Sequence, residues 1–315
     1  MKEGRFDRSF FSGLCRRGDG QSACCCCPAM RRTAPGRARS ARGARAIAGA
    51  TRGARSQATR SNVLIAPGLL YNWTDYDPLR EALLSLGHPV VETVRVSALE
   101  WAPSLFLGSS FTWYLRKLDR LASDLLLLDE DPSSSSRSLS IVGHSAGGWL
   151  ARIWLGNEAY DGDVYDGGAR TGTETLITLG APHNSVEEYP FGRVEERRAG
   201  EGAKMSEGAR TSSLRFSNEF CGAGALGGAK LVCVAGQSSV EGVGLGAWFT
   251  RASYRATCGR EDVQGDGTVP VESAILEGSH DSLVLRGAAH GPGGGKGKLW
   301  YGDAPFVEEW DKLLF

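Results

Sequence analysis

The sequence is short of histidine, and most of its cysteines lie at one end. Only five histidines are spread over 315 residues, so proton transfer near neutral pH has few places to sit. Of eight cysteines, Cys15 and Cys24 to Cys27 precede residue 60. Cys221, Cys233 and Cys258 remain, an odd number with no metal-like spacing, which is uninformative about disulfides. They read as small buried hydrophobes in a reducing compartment. No paired His or Cys spacing supports a metal, and no metal or other cofactor is expected. Long apolar runs are missing as well. Leu125-Leu126-Leu127-Leu128 is cut off by Asp129-Glu130-Asp131, well short of the ~18 apolar residues that a membrane span needs. No apolar stretch near the start is long enough for a secretory signal.

Acidic residues are absent from 31–60, a stretch of Arg, Ala, Gly, Ser and Thr that cannot build a core. Residues 1–62 carry Lys2 and thirteen arginines against Glu3, Asp7 and Asp19. The other 253 residues carry 22 basic and 33 acidic side chains. The zero net charge therefore joins a basic leader to an acidic body. An Arg- and Ser-rich, acid-poor leader at 1–60 reads as an organelle transit peptide, chloroplast ahead of mitochondrion. Without such targeting the location is cytoplasmic. A basic tail touching nucleic acid or anionic lipid is the rival reading, but no nucleic-acid partner is expected.

The body, 61–315, alternates strand and helix patterns. Strands are predicted at 62–66, 90–96, 139–142, 176–179, 231–235 and 282–286, with helices at 76–86, 111–128, 148–155, 247–254 and 306–314. Alternation of this kind predicts an α/β fold with a mostly parallel sheet and a ligand site at the carboxyl ends of its strands. The stretch 101–107 reads as a loop. The apolar cluster Trp101, Leu105, Phe106, Phe111 and Trp113 reads as core, with an acyl-chain pocket or a membrane contact as the alternative. The region 187–228 reads as a variable insertion. Its first part, 187–211, lacks the apolar face a lid needs.

The centre of the chain is Gly143-His144-Ser145-Ala146-Gly147, between a predicted strand and a predicted helix. Gly-x-Ser-x-Gly in a strand–turn–helix context holds a serine at the apex of a bend too tight for bulky neighbours. A serine hydroxyl needs a base to become nucleophilic, and the base needs a carboxylate to orient it. Asp266, in Gly265-Asp266-Gly267, and His290, past the last predicted strand, follow Ser145 in the expected order. Asp262, Asp281 and His280 are the alternatives. His88 falls in a helix–strand turn, His183 precedes the acid, and His144 lies within the elbow, pointing elsewhere. The backbone N–H groups of Ala146 and of Leu69, after the first strand, are the candidate oxyanion donors. Gly291 to Lys298 imitates a phosphate loop, but neither register supplies Gly-x4-Gly-Lys-[Ser/Thr].

These residues resemble the α/β-hydrolase superfamily of the lipase and esterase type. Gly143 to Gly147, Thr178-Leu179-Gly180-Ala181-Pro182-His183 and Gly265-Asp266-Gly267-Thr268-Val269-Pro270 carry the likeness. Leu231 to Gly236, Tyr254 to Pro270 and Trp300-Tyr301-Gly302 look like the plant and algal hydrolases called GPI-inositol-deacylase-like, many of them plastid proteins. The resemblance covers roughly 62–315 and implies an α/β-hydrolase fold, with Ser145, Asp266 and His290 as nucleophile, acid and base. Departures are Ala288-Ala289 before the histidine and the glycine-rich 291–297 after it. The implied activity is hydrolysis of a lipid or other acyl ester through an acyl-enzyme. An acyltransferase on the same residues and a non-catalytic binding protein are the alternatives.

Overall fold

The computed structural model describes residues 60–127, 138–165, 168–186, 192–195, 210–238, 245–293 and 297–314. The leader read at 1–60, apart from its last residue, and much of the insertion read at 187–228 lie outside them. Six strands form one sheet in the order β2-β1-β3-β4-β7-β8, every neighbouring pair parallel. They are β1 (Asn62–Ala66), β2 (Val91–Thr93), β3 (Leu139–His144), β4 (Thr173–Leu179), β7 (Lys230–Gln237) and β8 (Asp281–Arg286). Strands β5 (Arg193–Glu195) and β6 (Arg210–Ser212) form a separate antiparallel pair.

The central strands are apolar on both faces because helices cover both, as parallel sheets require. Alternate side chains divide accordingly. Leu64, Ile141, Leu176 and Leu231 face one core. It is shared with α3 (Thr112–Leu127), α4 (Ala146–Leu155) and α6 (Ser213–Phe220) through Leu118, Trp154 and Phe216. Val63, Val142, Ile177 and Val232 face the other, shared with α1 (Asp77–Ser85) and α9 (Ala304–Trp310) through Leu79, Phe306 and Trp310. The remaining helices are α2 (Ala102–Phe106), α5 (Gly168–Thr171), α7 (Leu245–Cys258) and α8 (Val271–Ala274). Among the described residues no helix is long and apolar enough to cross a membrane.

Four local readings change. The expected strand at 90–96 pairs only over Val91–Thr93. The stretch read as a loop at 101–107 is helical, since Pro103 sits in the first turn of α2, where its missing N–H costs nothing. The cluster read there divides: Trp101 and Phe111 are fully buried, whereas Phe106 is 82% exposed. The end of the region read as an insertion is core: α6 is capped by Ser212, whose hydroxyl accepts from the Arg215 N–H, and it buries Leu214 and Phe216.

Backbone meets backbone closely where β3 turns into α4. A Cβ on Gly147 would lie 2.1 Å from the Ala66 carbonyl oxygen, and one on Gly143 would lie 2.6 Å from the Gly148 Cα. Gly147→Ala should therefore cost about 1–3 kcal/mol by overpacking against backbone. Its melting temperature should fall by several degrees, while Gly222→Ala, at a position open to space, should change it little.

Candidate active site

Ser145 stands between β3 and α4 with φ 50° and ψ −122°. Positive φ is uncommon for a residue with a Cβ, and it turns the Ser145 side chain out of the sheet. The bend is held from both sides. The Ser145 N–H donates to Leu179 O on β4 at 2.9 Å, and its carbonyl accepts from the Gly148 N–H at 3.0 Å. Gly148 is a third close-approach glycine, since a Cβ there would meet the Ala181 Cβ at 2.7 Å.

His290 follows β8, with its Nε2 3.0 Å from Ser145 Oγ and its Nδ1 2.7 Å from Asp266 Oδ2. Asp266 does not directly follow a strand, because α7 intervenes. Its loop is instead docked against the end of β7 by a bridge between Ser238 and Gly265. Asp266 Oδ1 accepts the N–H groups of Thr268 (2.9 Å) and Val269 (2.7 Å), and Oδ2 also accepts the Tyr301 hydroxyl at 2.7 Å. With four donors aimed at it, the carboxylate is an acceptor only. His290 Nδ1 therefore carries a proton toward Asp266, and the lone pair on Nε2 faces the serine hydroxyl. Burial pushes the Asp266 carboxyl up. The His290 charge and hydrogen bonds outweigh burial and hold the group below its ordinary value.

Tyr301 belongs to the Trp300-Tyr301-Gly302 signature, but nothing in spacing alone assigned it a role. Burial first, then the neighbouring Asp266, raises its hydroxyl well above the ordinary value, so it stays a donor. Space for the Asp266–Tyr301 pair is made at two strand ends. A Cβ on Gly180 would lie 2.6 Å from Asp266 Oδ2, and one on Gly236 would lie 2.7 Å from the Tyr301 hydroxyl.

The turn after β1 lies against the elbow. A Cβ on Gly68 would meet the Ser145 Cβ at 2.9 Å. The Tyr71 N–H closes the turn on Gly68 O, with Leu70 at φ 63°. The Gly68 N–H is taken by the Tyr76 hydroxyl at 2.8 Å, so Leu69 offers the next N–H of the turn. Ala146 opens α4, where a helix has no internal acceptor for its N–H. Both candidate oxyanion donors thus flank Ser145. A cavity of about 530 Å³ opens beside His290, lined by Tyr71, Phe249, Thr250 and Pro292 among others. A cleft of about 640 Å³ between β2 and α3, lined by Arg95, Arg116, Lys117 and Arg120, includes none of these groups.

The alternative residues lie elsewhere. His280 Nδ1 accepts from the Leu231 N–H at 3.1 Å, near the start of β7. His88 Nε2 lies 2.7 Å from the Asp311 carboxylate. Asp281 opens β8, and Asp262 is exposed. His183 is fully buried beside Arg152, a buried guanidinium that also donates to Cys221 O, Ser217 O and Asn218 Oδ1. Arg152 can only donate to His183 Nδ1 (3.0 Å), so Nε2–H donates to Thr178 Oγ1 at 3.1 Å, and the ring is neutral. Among the described residues no group of three or more His, Cys, Asp or Glu could hold a metal ion.

No protein-family model matches this sequence, and no curated protein matches it. Solved structures do match. The mature lipase BlEst2 of Bacillus licheniformis superposes with TM-score 0.50 at 15% identity, over 81% of this chain and 92% of that one. A soluble variant of monoglyceride lipase from Saccharomyces cerevisiae gives 0.41 at 13% identity, over 82% and 86%. Methylesterase MES16 from Arabidopsis gives 0.37 at 15%, over 81% and 97%. The chain has the α/β-hydrolase fold.

Two buried histidines give this fold an acid-sensitive stability. Burial, then the Arg152 charge, holds His183 well below its ordinary pKa, and burial, then the His290 charge, lowers His144 to about 3. Both rings protonate in the unfolded chain near pH 6.5 but resist it when folded. Their contribution is complete above that pH. It is lost as pH falls toward the folded values, at up to about 1.4 kcal/mol per pH unit for each. The melting temperature should fall between pH 7.5 and 5, and less steeply in a folded His183→Asn variant.

Proposed function

We propose that this chain is a serine carboxylic-ester hydrolase acting on lipid or other acyl esters. The observation that carries the reading is the unbroken hydrogen-bonded series Asp266–His290–Ser145, ending on a serine at φ 50°. Ser145 Oγ attacks the ester carbonyl while His290 Nε2 takes its proton. The N–H groups of Ala146 and Leu69 stabilise the resulting oxyanion. His290 returns the proton to the departing alkoxide, leaving an acyl-serine. Water then attacks, deprotonated by His290, and the acid leaves as His290 returns that proton to Ser145 Oγ. Asp266 stays ionised throughout and holds the imidazole in register.

The lipase BlEst2, whose fold the chain shares, supports an ester as substrate. Tyr71 and Phe249 in the cavity wall supply apolar surface for an acyl chain. Exposed Phe106 and Leu107 support contact with a lipid surface. The signature at Trp300-Tyr301-Gly302 supports kinship with the GPI-inositol-deacylase-like hydrolases, and the leader supports a plastid location.

Ser145→Ala should lower kcat by roughly 10⁴-fold or more on a short-chain ester. It should also abolish covalent labelling by a fluorophosphonate. Labelling that persists in Ser145→Ala would remove Ser145 as nucleophile. Residues 1–60 fused to a fluorescent protein should deliver it to chloroplasts, and cytosolic fluorescence would refute that location.

A further inference from the structure

His144 occupies the variable position before the nucleophile, yet its ring is fully buried and both nitrogens are engaged. Nε2 lies 2.7 Å from the backbone carbonyl oxygen of His290. Nδ1 lies 2.7 Å from the Tyr76 hydroxyl, which accepts the Gly68 N–H at 2.8 Å. Donor and acceptor roles are forced. A carbonyl only accepts, so Nε2 carries the proton. The neutral ring then has its lone pair on Nδ1, and Tyr76 donates to it. The result is a one-way chain: Gly68 N–H to Tyr76 Oη, Tyr76 O–H to His144 Nδ1, His144 Nε2–H to His290 C=O.

We propose that His144 is a positioning residue that fixes the base and the oxyanion turn to the elbow through this chain. The inference rests on the ester-hydrolase reading. His144 is covalently next to Ser145, so the chain ties three separate segments to one reference point. One end sets where His290 leaves β8, and hence the 3.0 Å between Nε2 and Ser145 Oγ. The other end occupies the Gly68 N–H and leaves Leu69 as the donor the turn presents. The ring is clamped among aromatic neighbours, edge-on to Tyr71 (5.4 Å) and Trp300 (5.6 Å). Its centroid is 5.0 Å from that of His290, which becomes an imidazolium in the proposed reaction. A second cation there would oppose that charge, and the neutral tautomer the chain demands avoids it.

A histidine that merely filled the core would affect folding and nothing else. The test therefore measures kcat and KM on a soluble short-chain nitrophenyl ester, per serine titrated by fluorophosphonate, with melting temperatures alongside. The full chain is compared with Tyr76→Phe, His144→Gln and His144→Asn. Tyr76→Phe should lower kcat ~10-fold with KM within twofold. His144→Asn keeps an acceptor near the Nδ1 position but loses the bond to His290, and should lower kcat ~100-fold. His144→Gln can still donate toward His290 and should recover part of that loss. Should the histidine variants not fold, Tyr76→Phe, one atom smaller, carries the test. Variants that keep kcat within twofold per titrated serine, in an active wild type, overturn the positioning role alone. A wild type with neither turnover nor labelling overturns the ester-hydrolase reading and this inference with it.

Discussion

Everything in the site depends on how closely β3 and α4 approach β1. At that crossing a backbone carbonyl, Ala66 O, sits where a side chain at 147 would begin. The approach forces a positive φ at Ser145, a strain of order 1–3 kcal/mol. The surrounding sheet absorbs it, since β3 is fully buried and paired on both sides by β1 and β4. The same crossing brings the turn at Gly68 against the Ser145 Cβ. Ser145 and the turn at Gly68 are thus set by one packing contact.

Charge in the site is confined to one group. Asp266 is buried, ionised and saturated with donors, so it orients without accepting a proton. His183 and His144 sit in the same interior but are kept neutral, first by burial and at His183 also by the Arg152 charge. Arg152 is the one buried cation the described core holds on to, its pKa pulled down by burial to about 10, which leaves it charged at neutral pH. Its partners are carbonyls, an amide and an imidazole rather than a carboxylate, so it knits α4 to α6 without adding a negative charge near Ser145.

The fold was largely legible because parallel strands buried on both faces leave unmistakable apolar runs, as at 62–66 and 231–235. Ser145, Asp266 and His290 could be read from residue type, chain order and position, and the structure brings all three within hydrogen-bond reach. Tyr301, Tyr76 and His144 were not assigned roles, because an aromatic hydroxyl or an elbow histidine acts through partners up to 146 residues away, which spacing does not reveal. The shortness of β2 and the helix at α2 were missed because propensity does not report whether a neighbouring strand continues.

The segment around His290 is anchored by backbone bonds on both sides of the histidine. The Ala289 N–H donates to Leu299 O at 2.8 Å, and Ala289 bridges Trp300. His290 itself is pinned by its N–H to Asp266 O and by its carbonyl to His144. Gly291 lies so near the Tyr71 hydroxyl that a Cβ would overlap it, so the chain must leave the site there as glycine. The backbone bonds at Ala289 and His290 thus fix where the imidazole leaves the chain before the glycine-rich stretch begins.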